Sequence, residues 1–159
     1  MSVDKVKEYF GAFGIKDRVI ELDLSSATVA LAAKALGCEE ARIAKTMSFD
    51  ANGKIILIVC AGDVKIDNAK YKYRFSTKAK MLPPNEVEEK VGHGVGGVCP
   101  FAVKEGVNVY LDESLKRFKT VFPACGSSNS AIELTIEELE KYSEYIEWID
   151  VCKPYQVQL

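Results

Sequence analysis

The dipeptide Asn52-Gly53 stands between two apolar runs, residues 42–50 and 54–60, and it constrains this chain more than any other feature. Asparagine and glycine tolerate the positive backbone angles of a tight two-residue turn, whose twist matches the strands it joins. The pattern predicts an antiparallel hairpin. Its second run belongs to the longest apolar stretch, the seven residues from Ile55 to Ala61, closed by Gly62-Asp63. A membrane-spanning helix needs ~20 such residues, so this stretch reads as a buried strand.

Helical patterns flank the hairpin. Val3, Val6, Phe10 and Phe13 recur at helical spacing, with Gly11 and Gly14 closing the stripe. Residues 18–24 read as a strand. Ser25 and Ser26 are placed to cap an alanine-rich helix over residues 27–36, stopped by Gly37. A short helix is expected over residues 67–74, and a second over residues 85–91, opened by Pro83 and Pro84. Strands are expected at residues 107–111, 120–124 and 131–134. Thr135 caps a helix over residues 136–142, with Glu138 as its capping-box partner. Residues 145–152 alternate as a last strand, and a loose tail is expected after Pro154. The interleaving predicts an α+β fold: one domain over residues 1–159, its core about residues 20–152, with a mixed, largely antiparallel sheet and flanking helices.

Composition removes several chemistries. Cys38, Cys60, Cys99, Cys125 and Cys152 are odd in number and form no CxxC pair, so no zinc ribbon or thioredoxin-type site is encoded. His93 is the single histidine, where a zinc hydrolase needs two or three. Lying between Gly92 and Gly94, it reads as a surface-loop residue, with a substrate contact as the alternative. No metal or other cofactor is expected. The first seven residues carry no apolar signal-peptide core, which predicts a cytoplasmic location. Lys plus Arg total 21 against 23 Asp plus Glu, which excludes a wholesale basic coat. The bases cluster, however. Residues 65–80 hold six of them and only Asp67 as an acid, while residues 133–150 hold seven acids and only Lys141 as a base. Tyr71 and Tyr73 alternate with Lys70, Lys72 and Arg74. Such a stretch is either a solvated face or a surface that follows a phosphate backbone.

Three segments stand out. Lys45 sits in the strand Ile43-Ala44-Lys45-Thr46-Met47-Ser48, sharing a face with Ile43 and Met47; it either snorkels at the sheet end or points into a cleft. Gly96-Gly97-Val98-Cys99-Pro100 can bring main-chain N–H groups close to a ligand, or be an ordinary turn. Gly126-Ser127-Ser128-Asn129-Ser130 forms a polar loop before Ala131-Ile132-Glu133-Leu134.

Together these segments resemble the YbaK/EbsC family, the prolyl-tRNA-synthetase-associated editing domains. The helix before Gly37, the Lys45-Thr46 strand, the Gly96-Gly97-x-x-Pro100 loop and Gly126 followed by Ile132-Glu133-Leu134 carry the resemblance, which spans roughly residues 20–145. It implies a freestanding hydrolase that clears wrongly attached amino acids from tRNA, with tRNA and a synthetase such as prolyl-tRNA synthetase as partners. The family's essential lysine falls on Lys45. The resemblance also suggests that a ribose hydroxyl of the substrate takes the proton from water. With that substrate in mind, the main chain at Gly96 and Gly97 is the expected oxyanion-stabilising element, with the Gly126-Ser127 turn as a second source. Thr46, Ser48, Cys99, Pro100, Gly126, Ser127, Ser128 and Asn129 are candidate substrate contacts, and Lys70, Lys72 and Arg74 candidate tRNA contacts. A Cys-specific branch of the family carries an acid just before Ile-Glu-Leu; this chain has Ala131, which weighs against Cys. Two alternatives stand beside the hydrolase: a non-catalytic module of the same fold that binds tRNA or a synthetase, and a thiol regulator acting through Cys99 or Cys125.

Overall fold

A computed structural model describes residues 2–155. Helix α1 (Ser2–Gly11) leads into β1 (Ile20–Glu21) and α2 (Val29–Leu36). The hairpin β2 (Ile43–Ala51) and β3 (Lys54–Ala61) follows, then β4 (Val64–Ile66), α3 (Asn68–Phe75) and α4 (Pro84–Val91). The remainder comprises β5 (Asn108–Asp112), β6 (Thr120–Pro123), β7 (Ser130–Ala131), β8 (Leu134–Thr135), α5 (Ile136–Ser143), β9 (Glu147–Ile149) and β10 (Cys152–Pro154).

Asn52 and Gly53 have φ of 54° and 87°, the paired left-handed geometry the hairpin turn demands. The hairpin lies at the centre of a six-stranded sheet in the order β8-β6-β2-β3-β5-β9. The sheet is mixed, as expected. Of the seven ladders among the described residues, four are antiparallel and three, β2-β6, β3-β5 and β5-β9, are parallel. Leu57, Ile58, Val59, Cys60 and Ala61 of β3 are fully buried. They join Phe10, Tyr71, Phe101, Leu111, Leu115 and Leu139 in one core cluster, giving the single-domain α+β architecture.

Capping chemistry explains where the helices start. Thr135 accepts from the Glu138 amide and Glu138 reaches back to the Thr135 amide, completing the expected capping box. Asp67 accepts from the amides of Ala69 and Lys70. Helix α2 departs from expectation: Thr28 caps it by accepting from Leu31 N, while the Ser26 hydroxyl turns to the Ser128 carbonyl at 3.2 Å. The strand expected over residues 18–24 shrinks to β1, because only Ile20 and Glu21 form ladder pairs, with β7. The alternating run over residues 145–152 divides between two sheets: β9 joins β5, and β10 pairs with β4, which hydropathy did not mark. The tail expected after Pro154 falls on Tyr155, which contacts Lys45, and on residues 156–159, outside the described part.

Candidate functional site

The register of β2 opens a gap in the sheet. On one side β2 pairs with β3 along residues 44–51, but on the other it meets β6 only at Ile43 and Ala44. Farther along, Leu82 N donates to Ser48 O and Asp50 N to Lys80 O. Hydrogen bonding alternates along an antiparallel strand. Ser48 and Asp50 direct theirs outward, so the main chain of Thr46 also faces outward, where no strand lies among the described residues. A cavity of about 340 Å3 fills this gap. Its wall comes from α2 (Val29, Ala32, Leu36), from residues 43–48, from Met81 and Val87, and from Phe122 and Ala131. The volume falls within the usual range of small-ligand sites.

Lys45 and Thr46 are the polar features at the unpaired edge. The half-buried Lys45 lines the cavity; its Nζ donates to the Val64 carbonyl and lies 3.2 Å from the Tyr155 hydroxyl. Thr46 Oγ1 is buried and has no hydrogen-bond partner among the described residues. Residues from both faces of β2 border the cavity, because it opens at the strand's edge. Face alternation alone, which grouped Ile43, Lys45 and Met47, did not anticipate that Thr46 and Ser48 would join them.

The glycine loop closes another side of the cavity. Gly96 lines it, and the Gly96 amide meets no acceptor among the described residues. Gly97 differs from expectation. Its amide donates to Gly94 O at 3.1 Å, so the turn itself uses the donor assigned to an oxyanion. A Cβ at Gly97 would lie 2.6 Å from Gly126 C and Ser127 N, so glycine there permits two loops to touch. The Ser127 amide is likewise engaged, by Ser130 Oγ at 3.3 Å.

The other expected contacts divide. Thr46 and Ser48 line the cavity; Cys99, Pro100, Gly126, Ser127, Ser128 and Asn129 do not. The polar loop acts instead as a brace. Ser128 O accepts from Ser26 N at 2.6 Å and Asn129 O from Leu22 N at 2.7 Å, fixing the lead into α2. His93, read as a surface-loop residue, is fully buried because the loop folds inward under α1. There His93 Nε2 donates to Phe101 O at 2.6 Å, and the Cys99 thiol lies 3.5 Å from the same nitrogen. Burial lowers the His93 pKa and pushes the Cys99 thiol up to about 12; burial also raises Cys125. Neither thiol is poised as a thiolate, so the structure gives the thiol-regulator alternative no support. Lys70 pairs with Asp150 at 3.0 Å and Arg74 with Glu147, whereas exposed Lys72 makes no ion pair among the described residues. Sequence reasoning missed Thr28, Ser130 and Met81 in the wall and Tyr155 beside Lys45. No local pattern marks them, since their neighbours are distant in sequence.

A single α+β domain whose apolar cavity opens at a strand edge, with one lysine at the edge and a glycine loop opposite, defines the class of protein. Residues 25–142 match the aminoacyl-tRNA editing domain family, and the chain belongs to it. The uncharacterized protein YwhH of Bacillus subtilis (strain 168) is 54% identical over 157 residues, covering 98% of this chain and 100% of YwhH. The proline–tRNA ligase of Geobacillus thermodenitrificans is 26% identical over 109 residues, 68% of this chain; the match spans only 19% of the ligase. A crystal structure of a proposed trans-editing enzyme for prolyl-tRNA synthetase superposes with a TM-score of 0.85 at 27% identity, covering 96% of this chain and 97% of that one.

Proposed function

We propose that this protein is a freestanding aminoacyl-tRNA deacylase that hydrolyses the ester of a small, wrongly attached amino acid, with tRNA(Pro) as the favoured carrier. The family and its kinship with proline–tRNA ligases support an editing role. The observation that carries the reading is the Lys45 ammonium at an apolar cavity bordered by main-chain donors, at Thr46 and Gly96, that meet no acceptor among the described residues.

An aminoacyl ester is already activated, so water attacks it without a metal or a protein nucleophile. The attack builds negative charge on the carbonyl oxygen. Fixed N–H groups aimed at that oxygen contribute ~3 kcal/mol each, and the amides of Thr46 and Gly96 are the two placed for it. Lys45 grips the terminal phosphate or the ester carbonyl; positioning of this kind is worth up to ~7 kcal/mol or more. Among the described residues, the cavity wall contains neither histidine nor carboxylate. As the family resemblance suggests, the neighbouring ribose hydroxyl takes the water proton and passes its own to the departing ribose oxygen. Ala131 lines the cavity where a Cys-specific branch of the family carries an acid, which weighs against cysteine as the amino acid removed. Alanine and serine are the other candidates, and Lys72 with its helix is the candidate contact for the acceptor stem.

One observation favours a second reading, a non-catalytic tRNA- or synthetase-binding module: the Gly97 and Ser127 amides are already engaged. Ester loss from Ala-, Ser- and Cys-charged tRNA(Pro), followed with purified protein, separates the two. Accelerated release from any of them supports the deacylase. Binding of tRNA without turnover on all three selects the module.

A further inference from the structure

The ester that the proposed function brings to the cavity is joined to a ribose and its base, and Tyr155 stands beside Lys45 of the cavity wall. Its hydroxyl is 3.2 Å from Lys45 Nζ, while the same nitrogen is 5.1 Å from the ring centre. The ammonium therefore sits at the oxygen end of the ring and holds it by a hydrogen bond, instead of covering its face. Lys65 Nζ approaches the ring as well, at 5.9 Å from its centre. Pairing of β10 with β4 brings the two residues together, since Pro154 lies opposite Val64 and Lys153 opposite Lys65. Tyr155 is nevertheless 54% exposed.

An accessible aromatic face, anchored at its polar end and flanked by two ammonium groups, has a defined ligand chemistry. The ring suits a nucleobase, and the cations suit the phosphate next to it. The anchored hydroxyl also limits the rotamer freedom that the ring loses when a base settles on it.

We propose that Tyr155 is the stacking platform for the 3′-terminal base of an RNA acceptor end, with Lys65 and Lys45 meeting the adjoining phosphate. The inference rests on the deacylase reading for the identity of the RNA, but binding is measurable without hydrolysis.

The test uses two uncharged RNA hairpins, one ending in CCA and one lacking the terminal adenosine, titrated by fluorescence anisotropy. The proteins are the wild type, Tyr155→Leu, Tyr155→Phe and Tyr155→Trp. Loss of one stacked base corresponds to about a tenfold weakening. Tyr155→Leu is expected to show that loss on the CCA hairpin and less than about a twofold change on the truncated one. Tyr155→Phe and Tyr155→Trp keep the ring and stay close to wild type. The proposal is overturned if Tyr155→Leu binds the CCA hairpin normally, or if both hairpins lose equally. Absence of binding by the wild type overturns it too. So does an equal loss in Tyr155→Phe, which assigns the residue to holding Lys45 through its hydroxyl. Failure of the wild type to hydrolyse any charged tRNA sinks the deacylase reading alone and leaves this binding result standing.

Discussion

Lys45 and the His93–Cys99 pair are two polar sites built from residue types that do chemistry, and the fold treats them in opposite ways. By identity the second is the more suggestive, since an imidazole nitrogen and a thiol stand 3.5 Å apart, the layout of a base and a nucleophile. Yet both residues are fully buried, the imidazole Nε2 donates to Phe101 O, and the thiol is pushed up to about 12. Lys45 has no nucleophilic partner, but it is half-buried, borders a cavity and presents its ammonium beside an exposed tyrosine. Under the proposed function, access to the cavity, more than side-chain identity, separates the two sites.

Replacing Lys45 is the strongest way to break that contrast. Lys45→Met is expected to lower deacylation by about a hundredfold or more with the circular dichroism spectrum unchanged. An unaltered rate in a folded variant removes Lys45 from the chemistry. Gly97→Ala comes next. The added methyl would meet Gly126 C at 2.6 Å and force two loops apart, so about 2 kcal/mol of stability should be lost, read from denaturant midpoints. Wild-type stability in that variant means that the loops do not rely on their close approach.

His93 sharpens the other half of the comparison through pH. Burial depresses its folded-state pKa below the ordinary 6.5, so the unfolded chain takes up a proton first as the solution is acidified. Its contribution is complete above the unfolded value and is lost as pH falls through 6.5 and below. His93→Gln can keep a donor for Phe101 O while removing the titration. Stability should then depend less steeply on pH in this range, by at most about 1.4 kcal/mol per pH unit. Identical slopes for wild type and variant would mean that His93 does not titrate on unfolding. The smallest effect is expected for Cys99→Ser, with deacylation within about twofold of wild type because Cys99 is not among the residues that line the cavity. A large loss of rate would return Cys99 to the chemistry and erase the distinction between the two sites.

Legibility followed the range of the interactions. The Asn52-Gly53 turn, the Thr135–Glu138 capping box and the proline-led start of α4 are decided within a few residues and could be read directly. Ser25 and Ser26 were the expected caps of α2, yet Thr28 takes that place while Ser128, about a hundred residues away, accepts from the Ser26 amide and hydroxyl. Gly96 and Gly97 looked equivalent as neighbouring glycines. The structure leaves one amide without an acceptor and commits the other to Gly94 O. Lys45 was singled out because a charge among apolar strand neighbours has few comfortable places, a purely local argument.

The amino-acid sequence by itself determined the central hairpin and most of the helices, and it marked Lys45 as a charge among apolar strand neighbours. These depend on backbone preferences and side-chain periodicity, which act between near neighbours. Tertiary structure alone decided that β2 loses a strand partner beyond Ala44, that the opening becomes a cavity, that His93 is sealed away and that Tyr155 arrives beside Lys45. Each of these depends on which distant strands compete for one edge, and that competition is resolved only when the whole core packs.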